Sequence, residues 1–173
     1  VKPTPAAPSG EQLLTTAISA SVNRTVLIHK GTSTSTPAIL YGTYLPNQRA
    51  VATVEGAVTL PKEVTIVFAN GETSGASLSK QGGGIAVYGF SDTAELPDAP
   101  SSNFVPIGDL KAGQTAIAIT RDSAALTGIV SKIDDAGVLT SLSNIPPGAS
   151  AANLSGAVIG IQGLTPGLFI PTD

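Results

Sequence analysis

A single histidine, His29, stands in a chain of 173 residues that has no cysteine. Any serine nucleophile here would have to use it, since a neutral hydroxyl attacks only with a base in hydrogen-bond reach. The serine whose surroundings suit a nucleophile is Ser150, in "SNIPPGASAANLSGAVIGI", residues 143–161. There a proline-flanked glycine leads into Ala149-Ser150-Ala151, and a small apolar strand, Val158 to Ile161, follows and runs into Gln162-Gly163. His29 lies on "TVLIHK", where the ordinary role is that of a surface or half-buried strand histidine.

Other chemistry is poorly provided for, and no cofactor or metal is expected. With one histidine and no thiolate, a transition-metal site would be mostly carboxylate, and no acidic cluster has the spacing. Asp134-Asp135 in "KIDDAGVL" reads as a solvated hairpin tip, because a calcium loop wants several alternating oxygen ligands. The glycines of "QGGGIAVYGF" could offer N–H groups to a phosphate, but a strand follows them instead of a helix, and no Lys-Ser/Thr pair is present. Gly82-Gly83-Gly84 is expected to be a tight, mobile turn. Asn23-Arg24-Thr25 and Asn153-Leu154-Ser155 fit the N-glycosylation pattern, which carries meaning only in a eukaryotic secretory setting.

The elements that would position these residues are short strands. Charged residues make up only 12% of the chain, while 19 Gly and 13 Pro punctuate segments rich in Val, Ile, Thr and Ala, a balance that predicts an all-β protein. The net charge of −3, with scattered basic residues, gives no face able to neutralise a run of phosphates, so nucleic acid is excluded as a partner. No apolar run reaches the ~20 residues of a membrane-spanning helix. The opening "VKPTPAAPSG" has the composition of a linker, assigned to 1–9, and suggests a chain trimmed from a longer precursor that works outside the cytoplasm.

Ser9 and Gln12 have capping-box spacing, and Leu13, Leu14, Ala17, Ile18 and Val22 recur on one helical face, predicting a short helix over 10–20. Six extended segments follow, at 25–30, 38–45, 49–54, 63–69, 75–80 and 84–90, with Asn70-Gly71 as a tight hairpin turn accepting positive φ at both residues. The acidic, proline-containing stretch 91–103 reads as a connector. Six more segments come after it, at 104–108, 114–120, 124–133, 137–143, 156–162 and 167–171. Two sets of six predict a pair of small closed barrels, divided as 10–98 and 99–173.

The residues of the second set resemble a known family. "FVPIGDLKAGQTAIAIT", "LTGIVSKI" and "IPPGASAANLSGAVIGI" are similar to successive strands and the nucleophile loop of trypsin-like serine proteases of the bacterial HtrA type, and "VTIVFANGE" and "GIAVYGF" resemble strands of that family's first barrel. The likeness covers residues 12–165 and implies two six-stranded Greek-key barrels with a cleft between them. It also implies places for a serine, a histidine and an aspartate. The serine falls on Ser150. The histidine, just after the "RAVAT" strand, falls on Gly56, or on Ala52 in a second alignment, and the aspartate, just before "IAV", falls on Gly84.

The family's two glycines after the serine are Ala151 and Ala152 here, a few residues are missing before "NLSGAVIGI", and Leu142 stands where an acidic residue is usual. The resemblance therefore implies the protease fold without the proton-transfer groups: an inactive homologue, or pseudoenzyme, with Ser150 as a remnant in a turn. Such a chain would serve as a binding or assembly module with a protein or peptide partner or with copies of itself. The alternatives are a serine endopeptidase whose site is degenerate or misaligned, and a structural subunit of a surface layer or filament.

Overall fold

The computed structural model describes residues 5–100 and 103–172, and within them the chain forms one α-helix, α1 (Gly10–Arg24), and twelve strands. Residues 1–4 of the expected linker, and 101 and 102 of the expected connector, lie outside the described residues. The first six strands are β1 (Thr25–Lys30), β2 (Leu40–Leu45), β3 (Ala50–Val54), β4 (Glu63–Val67), β5 (Thr73–Gly82) and β6 (Ile85–Gly89). The second six are β7 (Thr115–Ile119), β8 (Ala125–Asp134), β9 (Gly137–Thr140), β10 (Ser150–Ala152), β11 (Val158–Gln162) and β12 (Leu168–Ile170).

Each set closes into an antiparallel barrel. The neighbours run β1-β2-β3-β6-β5-β4, with β4 returning to β1 through Ile28 opposite Ile66, and the second barrel repeats this Greek-key order as β7-β8-β9-β12-β11-β10. There β10 returns to β7 through Ala151 opposite Ala118. Closure removes the open edges that short β-strands would otherwise present to other chains.

The strand period of two sorts the side chains. Val26 and Ile28 on β1 meet Val64, Ile66 and Tyr88 inside the first barrel. Tyr44, Phe68 and Phe90 close one of its ends as an aromatic trio with centroids 5.0, 6.1 and 5.7 Å apart. The segment after β6 is pinned over this barrel, since Arg49 Nη2 donates to the Ser91 and Ala94 carbonyls and the Tyr44 hydroxyl to that of Pro97. The second barrel fills with smaller groups, Ala116, Ala118, Val130, Val138, Ala151 and Ile159 around Phe169.

The structure corrects several local expectations. Segment 104–108 is not a strand: Phe104 makes one isolated parallel bridge to Val158, Pro106 has no N–H with which to extend a ladder, and Ile107–Asp109 turns into a 3-10 helix. The sixth strand of the second barrel is β10, three small residues whose weak β-propensity leaves no pattern to read. Asn70-Gly71 is not a two-residue turn with positive φ at both positions, because only Gly71 has positive φ (86°). Bonds from Gly71 N–H to the Phe68 carbonyl and from Phe68 N–H to that of Glu72, both 2.9 Å, make it a three-residue loop with glycine at the left-handed position.

Helix α1 begins at the expected capping box, with Gln12 N–H bonded to Ser9 Oγ (3.2 Å) and Ser9 N–H to Gln12 Oε1 (2.8 Å), but it runs on to Arg24. Its buried face is also different. Ala17, Ala20, Ser21 and Arg24, at spacing i, i+3, i+4, i+7, lie against β7 and β10, whereas Leu13 and Val22 are exposed. Small side chains let the helix sit close on the outer surface of the second barrel, over Ile117 and its cross-strand partner Ala152. Arg24 Nη2 donates to the Gly156 carbonyl at 2.9 Å, and burial lowers the guanidinium pKa.

Candidate functional site

The barrels meet along an apolar seam. Leu45 and Ala52 from the first barrel pack with Ile161 from the second, and Ile85 and Phe104 lie against them. Ser150 is directly opposite Ile161, so the two side chains share the face of the sheet that looks into this seam. Ser150 is 4% exposed and Ala52 1%. Ser150 thus opens a strand and is buried, where a position in a turn was expected. No hydrogen bond among the described residues involves its side chain.

The residues before Ser150 are fixed by the backbone. Gly148 N–H bonds the Gln162 carbonyl (2.9 Å) and Gln162 N–H bonds that of Ala149 (2.7 Å), so two residues oppose one. With φ of 93° at Gly148 this is a G1-type bulge. Ala149 N–H is bonded to the Pro146 carbonyl at 3.1 Å. The N–H groups of Gly148 and Ala149 therefore both point at protein acceptors, and an oxyanion held by the N–H two residues before Ser150 would have to displace the Gly148 bond. The Gly148 carbonyl accepts from Thr43 Oγ1 on β2 at 3.0 Å, tying the bulge to the first barrel. A Cβ on Gly148 would collide with the Tyr41 carbonyl oxygen and stand 2.6 Å from Thr53 Oγ1, which itself donates to that carbonyl at 2.7 Å.

Gly56 and Gly84 lie one residue apart across the end of the β3-β6 ladder. Beyond Val54, Glu55 N–H bonds the Gly84 carbonyl (2.9 Å), and the Glu55 carboxylate accepts from Gly84 N–H (3.1 Å). Gly82 pairs with Ile85, which makes Gly83-Gly84 a two-residue turn, and φ values of 67° and 86° give it the primed geometry that favours glycine. A Cβ on Gly84 would meet Ile170 Cδ1 at 2.9 Å, and one on Gly56 would touch Leu164 Cδ1 at 3.4 Å, so second-barrel side chains occupy the space in front of both.

His29 is elsewhere. Its neighbours Val26 and Ile28 line the barrel interior, which puts His29 on the outer side of β1, opposite Thr65 of β4. It is 8% exposed, and its Nδ1 donates to the Thr36 carbonyl at 2.8 Å, holding the loop between β1 and β2. No hydrogen bond links it to Ser150. Among the described residues no group of three or more His, Asp or Glu could hold a metal. Asp134 bonds Ala136 N–H and lies 2.6 Å from Lys132 Nζ, and hydrogen bonding to that ammonium holds its carboxyl below the usual range. No helix among the described residues is long and apolar enough to cross a membrane.

Thr43, Glu55 and Gln162 build this region and carried no sequence signal. Gln162 is buried, with Nε2 donating to the Gly163, Thr165 and Leu168 carbonyls and Oε1 accepting from Gly167 N–H, so one side chain shapes the turn between β11 and β12.

No family model matches the chain, and no curated protein matches it. Among solved structures it is similar to the serine endoprotease from Yersinia pestis, with a TM-score of 0.70 and 18% identity, over 96% of this chain and 64% of that one. The chain thus spans less than two thirds of that protein's length. At such identity the likeness is one of architecture, and with two closed six-stranded barrels of identical strand order meeting at a seam, the fold of this chain is trypsin-like.

Proposed function

We propose that the chain is a catalytically silent homologue of trypsin-like proteases, acting outside the cytoplasm as a binding or assembly module for a protein or peptide partner. The observation that carries this reading is the state of the segment before Ser150. Its Gly148 N–H is bonded to Gln162 within the second barrel and its Gly148 carbonyl to Thr43 of the first, so a backbone donor that would stabilise an acyl-transfer transition state is taken up by the bulge that ties the barrels together. Glycine at 56 and 84 adds to it, since neither can move or orient a proton. The location outside the cytoplasm draws on the proline- and alanine-rich character of residues 3–8.

The test is hydrolysis of casein and of activated esters by the purified chain beside Ser150→Ala and His29→Ala, with a fluorophosphonate probe for covalent labelling. Background rates equal in all three, with no label, are expected. Turnover or labelling lost in both variants would overturn the proposal and restore the endopeptidase alternative. Sedimentation as a large polymer would favour the filament subunit.

A further inference from the structure

A cavity of about 240 Å³ opens at the rim of the seam. Its walls come from both barrels: Ile39 and Tyr41 at the start of β2, Ala57 and Val58 in the loop after β3, and Pro147 just before the bulge, with Arg121 of the β7–β8 turn at its edge. The wall at Ile39 is braced, because Ile39 N–H bonds the Ile28 carbonyl and the preceding loop is held by His29 through Thr36. Val58 is 39% exposed and stands beside other apolar lining residues.

Three features describe what would fill this cavity. It is smaller than the ~300–1,000 Å³ of sites for drug-sized molecules, so it takes one residue of a larger partner and not a cofactor. Its side-chain lining is apolar apart from the Tyr41 hydroxyl and Arg121, whose guanidinium makes no hydrogen bond or ion pair among the described residues, and the acidic residue next to it, Asp122, does not line the cavity. Finally, the backbone groups of Ala57 and Val58, which line the same cavity as Arg121, take part in no hydrogen bond among the described residues, leaving donors for an anionic oxygen.

An apolar side chain and an anion within the span of one residue are what the end of a polypeptide supplies. We propose that this cavity captures the C-terminus of a partner protein, the last side chain seated between Ile39, Tyr41, Val58 and Pro147 and the terminal carboxylate paired with Arg121. This rests on the binding-module reading above and names its partner class. A free carboxylate on the guanidinium is a charge-assisted pair, and replacing it by an amide removes the charge while keeping the shape.

The experiment is fluorescence anisotropy with labelled hexapeptides of sequence Gly-Ser-Gly-Ser-Gly-Val, as free acid and as C-terminal amide, against the full chain, Arg121→Gln and Val58→Asp. The free acid is expected to bind about tenfold more tightly than the amide, with that difference lost in Arg121→Gln and all binding lost in Val58→Asp. Equal binding of acid and amide, an unchanged preference in Arg121→Gln, or no binding of the free acid would overturn the proposal. Mass spectrometry of the same mixtures separates the two levels of inference: a cleaved peptide refutes catalytic silence, whereas an intact peptide that does not bind refutes only the C-terminal pocket. Both exposed-site variants are checked for native circular dichroism, and Arg121→Lys, which keeps the charge, is expected to retain most of the preference.

Discussion

The Thr43 hydroxyl donates to the Gly148 carbonyl at 3.0 Å from a position with no solvent exposure, so one barrel satisfies a backbone acceptor of the other. Thr43→Val keeps the shape and removes the donor. Leaving a buried carbonyl unpaired costs about 1–3 kcal/mol, and urea unfolding is expected to show that loss, with Thr43→Ser recovering most of it. A change below about 0.5 kcal/mol, the scale of ordinary surface substitutions, would mean that water reaches the seam.

Gly148→Ala is expected to be worse. The new methyl group would strike the Tyr41 carbonyl, a backbone atom that cannot swing aside, and φ of 93° strains any L-residue. Together these should exceed about 3 kcal/mol in denaturant unfolding, placing the variant among the more damaging single changes.

Restoring side chains at the family positions should not restore chemistry. In the double variant Gly56→His/Gly84→Asp, ester hydrolysis is expected to stay at background, because the Gly148 N–H remains bonded to the Gln162 carbonyl. Stability should fall by about 1–3 kcal/mol at each position through the positive φ of 86° that both glycines adopt, with the contact to Ile170 adding to it at position 84. Measurable turnover would show that the seam opens readily.

Alkaline pH should weaken the fold through its buried phenols. Burial pushes the Tyr88 phenol up, and its hydroxyl donates to the Pro61 carbonyl at 2.9 Å. Tyr44 is raised chiefly by burial, opposed next by Arg49, with Asp98 adding a smaller upward effect. A folded pKa above the unfolded one, which is about 10, favours the protonated form in the native state. The contribution is therefore complete below about pH 10 and is lost as pH rises through the raised folded value. Thermal unfolding from pH 8 to pH 11 is expected to show this decline, smaller in Tyr88→Phe, which should lose about 1 kcal/mol at neutral pH with its hydrogen bond.

The architecture was legible in the chain because short segments rich in Val, Ile, Thr and Ala, such as "TVLIHK" and "TAIAI", are set off by turn residues, and β1 emerges with the expected bounds. The count of six strands in the second half came out right through two opposite errors: Phe104 to Gly108 looks like a strand but is stopped by Pro106, and Ser150–Ala152 looks like a loop but is paired on both sides. Of the two tight turns marked in the sequence, at Asn70-Gly71 and at Gly82-Gly83-Gly84, the second has the primed geometry, since the pairing of Gly82 with Ile85 leaves only two residues to cross. The candidate site was the least legible part. Ser150 could be located by resemblance, yet whether the Gly148 N–H before it was free depended on Gln162, brought opposite Gly148 and Ala149 only by the fold. Thr43 and Glu55 are ordinary residues until a second barrel or a glycine turn is brought beside them.

Helix α1 is the first element in the chain, and its Ala17, Ala20 and Arg24 face rests on β7 and β10, elements more than ninety residues later. During synthesis from the N-terminus the helix must therefore wait, its small-residue face uncovered, through the making of the entire first barrel and most of the second. The β1–β4 closure can form much earlier, so the two barrels are expected to mature in sequence, with helix docking among the last events. Of the contacts α1 makes, the one with β10 is the one a growing chain can be caught without.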